Sequence, residues 1–326
     1  MQQPGRCKSN DGICGEYQAV CLPDPGWLGE MAMDTLLQQI VNGICQGSVY
    51  ALIAIGYTMV YGIIKLINFA HCDIYMFGAY AGYFAVCVFR FGFSGTLIFA
   101  MLACAILGML IEKIAYKPLR NSPKVTLFIT TMGVELLLQN LMKTNLLAGP
   151  NSLSFPELFP LKSYNVGSVI ISNYQIIAVL TTIALCILLQ LMVKKTKVGR
   201  AMRATSYDSD AAALMGINTN RIISITFGIG SALAGTAGVL VGLLYPKLTP
   251  AMGVMPGLKS FVAAVLGGIG IIPGAMFGGV VMGLIETLSK VYISSGLSDA
   301  ISFSVLIIIL LIKPAGLFGK NVREKV

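Results

Sequence analysis

The sequence predicts an all-α polytopic membrane protein with about eight or nine transmembrane helices, and three observations carry that prediction. Only 11% of the 326 residues are charged and 56% are apolar, with a mean hydropathy of +0.79; a soluble domain carries roughly 25% charged residues because its surface must prefer water. Apolar segments recur at about 36–63, 71–89, 95–116, 125–148, 169–193, 221–245, 257–292 and 299–313. Several reach the ~20 residues needed to cross a ~30 Å hydrocarbon core. The basic residues gather in short gaps at 113–124, 194–203 and 313–325, which is where positive charge marks cytoplasmic loops. The net charge of +9 therefore reports topology, and a nucleic-acid face, which needs a continuous basic surface, is excluded.

Residues 1–32 are Gly- and Pro-rich, hold Cys7, Cys14 and Cys21, and lack the apolar core of a signal peptide. They read as a disordered extension, with the membrane domain spanning 33–319, Met33 as the candidate true start and 320–326 as a cytoplasmic tail. Small residues stand four apart in several segments: Gly43/Gly47, Gly78/Gly82, Gly238/Gly242, Gly274/Gly278 and Gly279/Gly283. In lipid, helices pack closely where side chains are removed, so these glycines are expected at helix seams. The five cysteines inside apolar stretches are expected to pack as small apolar residues.

Charge sets the direction of each segment. The basic clusters after the third and fifth segments and at the C-terminus belong inside, and the loop 149–168, with only Glu157 and Lys162, belongs outside. The N-terminus is then external. The seventh segment is too long for one helix and carries Gly267-Gly268-Ile269-Gly270-Ile271-Ile272-Pro273-Gly274 in its middle. Such a run breaks a helix, and broken backbone at membrane depth survives only within protein or beside a water-filled cavity. A hairpin there brings the total to nine crossings. Residues 43–84 and 231–283 share an outline: a Gly-rich helix ending near a Tyr, a short loop, then a second small-residue helix. A repeat of inverted topology would produce that outline.

Soluble chemistry finds no support. Gly253–Ser260 has the wrong spacing for a P-loop, Gly268-Ile269-Gly270 lacks the third glycine of a dinucleotide fingerprint, and there is no Gly-x-Ser-x-Gly elbow. His71 is the sole histidine and no CxxC pair exists, so no metal site is expected. Among the ionisable groups within the apolar segments, the candidates for a role at membrane depth are few: His71, Asp73, Glu135 and Glu286. Asp73 suits the positive end of a helix. Glu135 with Gln139 one turn later either lines a polar path or makes an interhelical hydrogen bond. The loop 194–220 is long and basic at its start, and closes with Asp210-Ala211-Ala212-Ala213-Leu214-Met215-Gly216. That spelling predicts a short helix capped by Asp210 and stopped by Gly216. It either docks into a partner's groove or lies as a solvated loop.

The spacing Asp210-Ala211-Ala212-x-x-x-Gly216 resembles the EAA-x-x-x-G loop of ABC importer permeases, with Asp for Glu. The run from Asn42 through Gly47-Ser48-x-Tyr50-Ala51-Leu52 to Tyr57-Thr58-Met59-Val60-Tyr61-Gly62 resembles the first helix of LivH-type permeases. Ile67-Asn68-Phe69-Ala70-His71, Gly199-Arg200-Ala201-x-Arg203-Ala204 and Ala264–Ala275 extend the likeness, in order, from about Met33 to Gly319. Cys72 stands where that family usually has glycine, and Glu135 where a small or neutral residue is expected. The resemblance implies a non-catalytic subunit of a branched-chain amino acid importer in the bacterial inner membrane. It also implies a LivM-like second permease, two cytoplasmic ATP-binding subunits and an external substrate-binding protein as partners. No cofactor is expected on this chain, since ATP sits on the partners. Arg200, Arg203, Asp210, Ala211, Ala212 and Gly216 become the coupling residues. Asn68, Tyr75, Glu135, Gln139, Gly268, Gly270 and Pro273 become candidates for the substrate path. A urea or short-amide permease, a gradient-driven secondary transporter working through Glu135 or Glu286, and a passive channel remain as alternatives.

Overall fold

Backbone surrounded by lipid must close its hydrogen bonds within itself, and an apolar run longer than a few turns does so as a helix. The computed structural model of the chain describes residues 25–65, 68–120, 122–144, 148–313 and 316–319. Its helices are α1 (Pro25–Ile64), α2 (His71–Cys87), α3 (Phe93–Ile111), α4 (Lys124–Met142), α5 (Asn173–Lys195), α6 (Lys197–Tyr207), α7 (Ser209–Leu214), α8 (Thr219–Leu244), α9 (Val254–Gly267), α10 (Ile272–Tyr292) and α11 (Ser298–Ile312). Helix α3 runs on through a π-helical turn, Glu112–Tyr116, and a 3₁₀ turn, Lys117–Leu119.

Two expectations about length can be set against the helices. Helix α1 begins at Pro25, eight residues before Met33; most of the proposed extension (1–24) and the tail 320–326 lie outside the described residues. Among the described residues six helices are long and apolar enough to cross a membrane. The segments at 71–89 and 299–313, and the first half of the seventh, instead give α2, α11 and α9, of 17, 15 and 14 residues.

Two of these helices are short because they start inside the bundle. Gly56 lies two turns before the end of α1, about 12 Å of helix, yet it packs directly on the imidazole of His71, the first residue of α2. Gly253, which precedes α9, is pressed against the Cys72 carbonyl, and a Cβ there would lie 3.1 Å from Asp73 Oδ1. The N-terminal ends of α2 and α9 therefore meet in the interior, with the Asp73 carboxylate between them.

Helices α1 and α8 form the centre. In each, 78% of the apolar window is buried, against 22% in α5. The glycine pairs are the seams. Helix α10 runs antiparallel to α1: a Cβ at Gly47 would lie 2.7 Å from Val280 Cα, one at Gly279 would lie 2.5 Å from Ala51 Cα, and Gly283 packs on the Gly47 backbone. Gly78 lies on Gly235, Gly238 on Tyr75 O, Gly242 on the ring of Phe155, Gly274 on Gly267 O, and Gly278 on Ala263 O. Close backbone approach at small residues is the main source of helix association in lipid. Of the five described cysteines, Cys45, Cys72, Cys104 and Cys186 are buried within this packing and Cys87 is exposed.

The 149–172 loop carries the small amount of sheet. Strand β1 (Leu153–Ser154) pairs antiparallel with β4 (Lys247–Leu248), which follows α8. Strands β2 (Ser163–Val166) and β3 (Val169–Ser172) form a hairpin turning at Gly167, φ +62°. Gln38 of α1 clamps that hairpin, donating to Ile170 O at 3.0 Å and accepting from Ile170 N at 2.8 Å. Ser172 and Gln175 then start α5 with a reciprocal capping box.

Candidate functional site

The basic loop 194–220 folds into two helices set at a corner. Thr196 accepts from Gly199 N at 3.0 Å, starting α6, and Gly199 has no side chain because the Val193 and Met192 carbonyls occupy that space. Ser206 at the far end of α6 donates to Gly62 O at 2.5 Å. This bond ties the loop to the last turn of α1.

The short helix expected after Asp208 is α7, with one correction to its cap. Asp208, not Asp210, is the N-cap, accepting from Asp210 N and Ala211 N at 2.9 Å each. Both residues are aspartate two apart, and only Asp208 has the extended backbone (φ −152°, ψ 111°) that an N-cap requires. Asp210 lies in the first turn, where its charge meets the positive helix end. Gly216 ends the helix as expected. At φ +82° it takes the left-handed conformation, with Gly216 N bonded to Ala213 O and Ile217 N to Ala212 O, both at 3.0 Å. That bond pair is a Schellman cap.

Ala212 is buried beneath α7, while Arg200, Arg203, Asp210, Ala211 and Gly216 are exposed. Beside them Tyr207, Leu214 and Met215 are 92, 89 and 84% exposed. Three large apolar side chains bared on a basic surface outside the bundle form a face suited to a protein partner.

The broken stretch lies beside this loop. Gly268 and Gly270 take φ +101° and +94°, which L side chains rarely adopt, and Pro273 sits in the first turn of α10, where its missing N–H costs nothing. The freed carbonyls at the end of α9 are satisfied from the chain's end: Leu317 N donates to Leu266 O at 2.8 Å and Phe318 N to Gly267 O at 3.3 Å. Arg203, Ser206, Gly62 and Gly270 line one small cavity of ≈ 80 Å³. The break is therefore joined to the basic loop 194–220, away from the interior junction of α2 and α9.

Asn68, Glu135 and Gln139 gather around that junction. Gln139 donates from α4 to both Asp73 oxygens, at 3.3 and 3.4 Å, so the interhelical hydrogen bond expected as one alternative is present. Glu135, one turn earlier on α4, is half-buried. Asn68 accepts from Tyr116 OH at 2.6 Å, and its Nδ2 has no hydrogen-bond partner among the described residues. Tyr116 reaches it from the π-helical turn after α3, whose Glu112 is held by Arg120 and by Ser224 Oγ at 2.5 Å. Tyr75 is packed in the core, 1% exposed. The cysteine at position 72 fits because Gly253 and Gly257 face it, and its Sγ lies 2.7 Å from Tyr57 OH.

Glu286 lies apart, in a network that sequence reasoning missed. Its Oε1 takes Lys259 at 2.7 Å and Lys290 at 2.6 Å, Tyr50 OH donates to its Oε2 at 2.6 Å, and Lys259 also reaches Asp299 at 2.6 Å. The lysine was hidden in the rejected P-loop spelling. Its only sequence signal was a lone cation in an apolar run, which demands a carboxylate partner.

The family described as branched-chain amino acid transport system / permease component matches residues 39–310. The chain is 42% identical over 307 residues to the high-affinity branched-chain amino acid transport system permease protein LivH of Salmonella typhimurium, covering 89% of this chain and 97% of the relative. It is 40% identical to BraD of Pseudomonas aeruginosa, covering 89% and 98%. The probable LivH of Methanocaldococcus jannaschii is 29% identical, covering 88% and 94%.

Proposed function

Because the chain belongs to the family of branched-chain amino acid transport permeases, we propose that it is the membrane subunit of an ABC importer that moves branched-chain amino acids inward. It is a multi-pass protein of the inner membrane. ATP is hydrolysed on two partner subunits, a second permease completes the path, and an external binding protein delivers the substrate. The observation that carries this reading is the capped α7 with its bared apolar residues, since neither a gradient-driven carrier nor a channel has use for such a face.

The contacts support one route for the coupling. A partner ATPase grips Tyr207, Leu214 and Met215, with Arg200 and Arg203 beside them. Its closure pushes α6, and the Ser206–Gly62 bond passes the push to α1. The cavity shared by Arg203 and Gly270 passes it to the break before α10. Gly268, Gly270 and Pro273 serve as the hinge at the cytoplasmic end of the path, and Tyr75 as its packed wall. Asn68, Glu135 and Gln139, with Asp73, present polar groups to a zwitterion crossing the interior.

The test is purification from native membranes in mild detergent with a tag after Val326, followed by mass spectrometry. Co-purified ATPases and a second permease support the reading. Recovery of this chain alone, with uptake that persists without ATP, overturns it in favour of secondary transport. Uptake of urea or short amides in place of amino acids would keep the machine and change its cargo.

A further inference from the structure

At the end opposite the basic loop, α1, α5, α8 and α10 part around a cavity of ≈ 520 Å³, roofed by residues of the 154–161 loop. Small-molecule sites typically enclose roughly 300–1,000 Å³. The wall carries groups of opposite charge. Lys290 of α10 faces it with its side chain 46% exposed, and the carboxylate it touches, Glu286, is shared with Lys259. Glu157 of the roof also faces it, is exposed, and makes no ion pair among the described residues.

The floor supplies a third group. Gln46 Oε1 is buried and has no hydrogen-bond partner among the described residues. Its neighbour one turn earlier is engaged: Asn42 Oδ1 accepts from Gln175 at 3.0 Å and from Gln38 at 3.3 Å. A buried acceptor without a donor is costly, so Gln46 favours a ligand that brings an N–H. Leu243 and Leu244 supply apolar wall.

We propose that this cavity is a receiving site for a free α-amino acid, its carboxylate at Lys290 and its ammonium between Gln46 Oε1 and Glu157. The assignment rests on the transport reading above and deepens it by giving the substrate a place within this one chain, before the central path. A phosphatidylethanolamine headgroup carries the same pair of charges on a short linker, and the experiment separates the two.

The permease complex is purified with its ATPases and without binding protein, then placed in nanodiscs of phosphatidylglycerol alone. Equilibrium binding of labelled L-leucine is measured against L-leucinamide, which lacks the carboxylate, and 4-methylpentanoate, which lacks the ammonium. Wild type is expected to bind leucine and neither analogue. Glu157→Gln and Gln46→Leu should weaken it by about tenfold or more, the loss expected for a hydrogen bond to a charged group. Lys290→Gln should do the same with the ATPases still co-purifying. Glu157 is on the surface, so its variant keeps the test independent of folding. Equal leucine binding in all variants, or none in wild type, overturns the site while ATP-driven uptake, measured separately, still judges the transport reading. Native mass spectrometry supplies the other arm. Phosphatidylethanolamine retained by wild type, lost from Glu157→Gln and not displaced by leucine overturns the amino acid in favour of the lipid headgroup.

Discussion

Gly216 is the position where a small change should disconnect ATP from transport. Its backbone is left-handed at φ +82°, and a Cβ placed there would meet nothing within 4 Å. The demand is therefore conformational and not one of size. An L side chain held left-handed costs roughly 1–2 kcal/mol, equivalent to a factor of about 5–30 in the population of the capped state. Helix α7 has six residues and one buried side chain, Ala212, so it has little packing with which to absorb that loss. The expected order of transport per ATP is Gly216, then Gly216→Asn, then Gly216→Ala, then Gly216→Val, because asparagine tolerates the left-handed region and a β-branched residue does not. The assay measures leucine uptake and phosphate release in the same proteoliposomes, with co-purification of the partners as the control for assembly. Full coupling in Gly216→Val refutes the argument. Asn and Val failing equally would show that bulk, not φ, is what the site rejects.

Asp208→Ala removes the two cap bonds of α7 and should cost about 1 kcal/mol of local stability. It should lower the same uptake-to-hydrolysis ratio, whereas Asp210→Ala, which leaves the cap intact, should lower it less. Gly238→Val drives a side chain into Tyr75 O and Ala79 N across the α2–α8 seam; thermal unfolding in detergent should show a large loss, and an unchanged midpoint would deny the seam. Glu286→Gln strips the carboxylate from Lys290 and leaves Lys259 with Asp299 alone. Breaking a buried pair from one side costs about 3–5 kcal/mol, and apolar replacement of both partners is often neutral. Glu286→Leu with Lys259→Met should therefore unfold at a higher temperature than Glu286→Gln alone.

What the sequence made legible was local. The run of glycines and a proline at 267–274 could only break a helix, and α9 stops at Gly267 while α10 starts at Ile272. The glycines four apart marked seams, and Gly216 marked the end of α7, because each depends on the residue's own backbone. What depends on partners far along the chain was not legible. Lys259 and Glu286 are 27 residues apart, and Tyr50 lies 236 from Glu286. The interior starts of α2 and α9 cannot be seen in hydropathy, which records how apolar a segment is and not where it enters the bundle. Asp208 and Asp210 are the same residue type two positions apart, and only backbone geometry separates the cap from its neighbour.

The central claim is that this chain moves branched-chain amino acids under the power of other subunits. The most direct measurement is uptake of labelled L-leucine into proteoliposomes holding the co-purified complex, with the external binding protein added, with and without ATP, and with ion gradients collapsed. Accumulation that requires both ATP and binding protein and ignores the gradients is the predicted result. Accumulation by this chain alone, driven by a gradient and indifferent to ATP, would contradict the account.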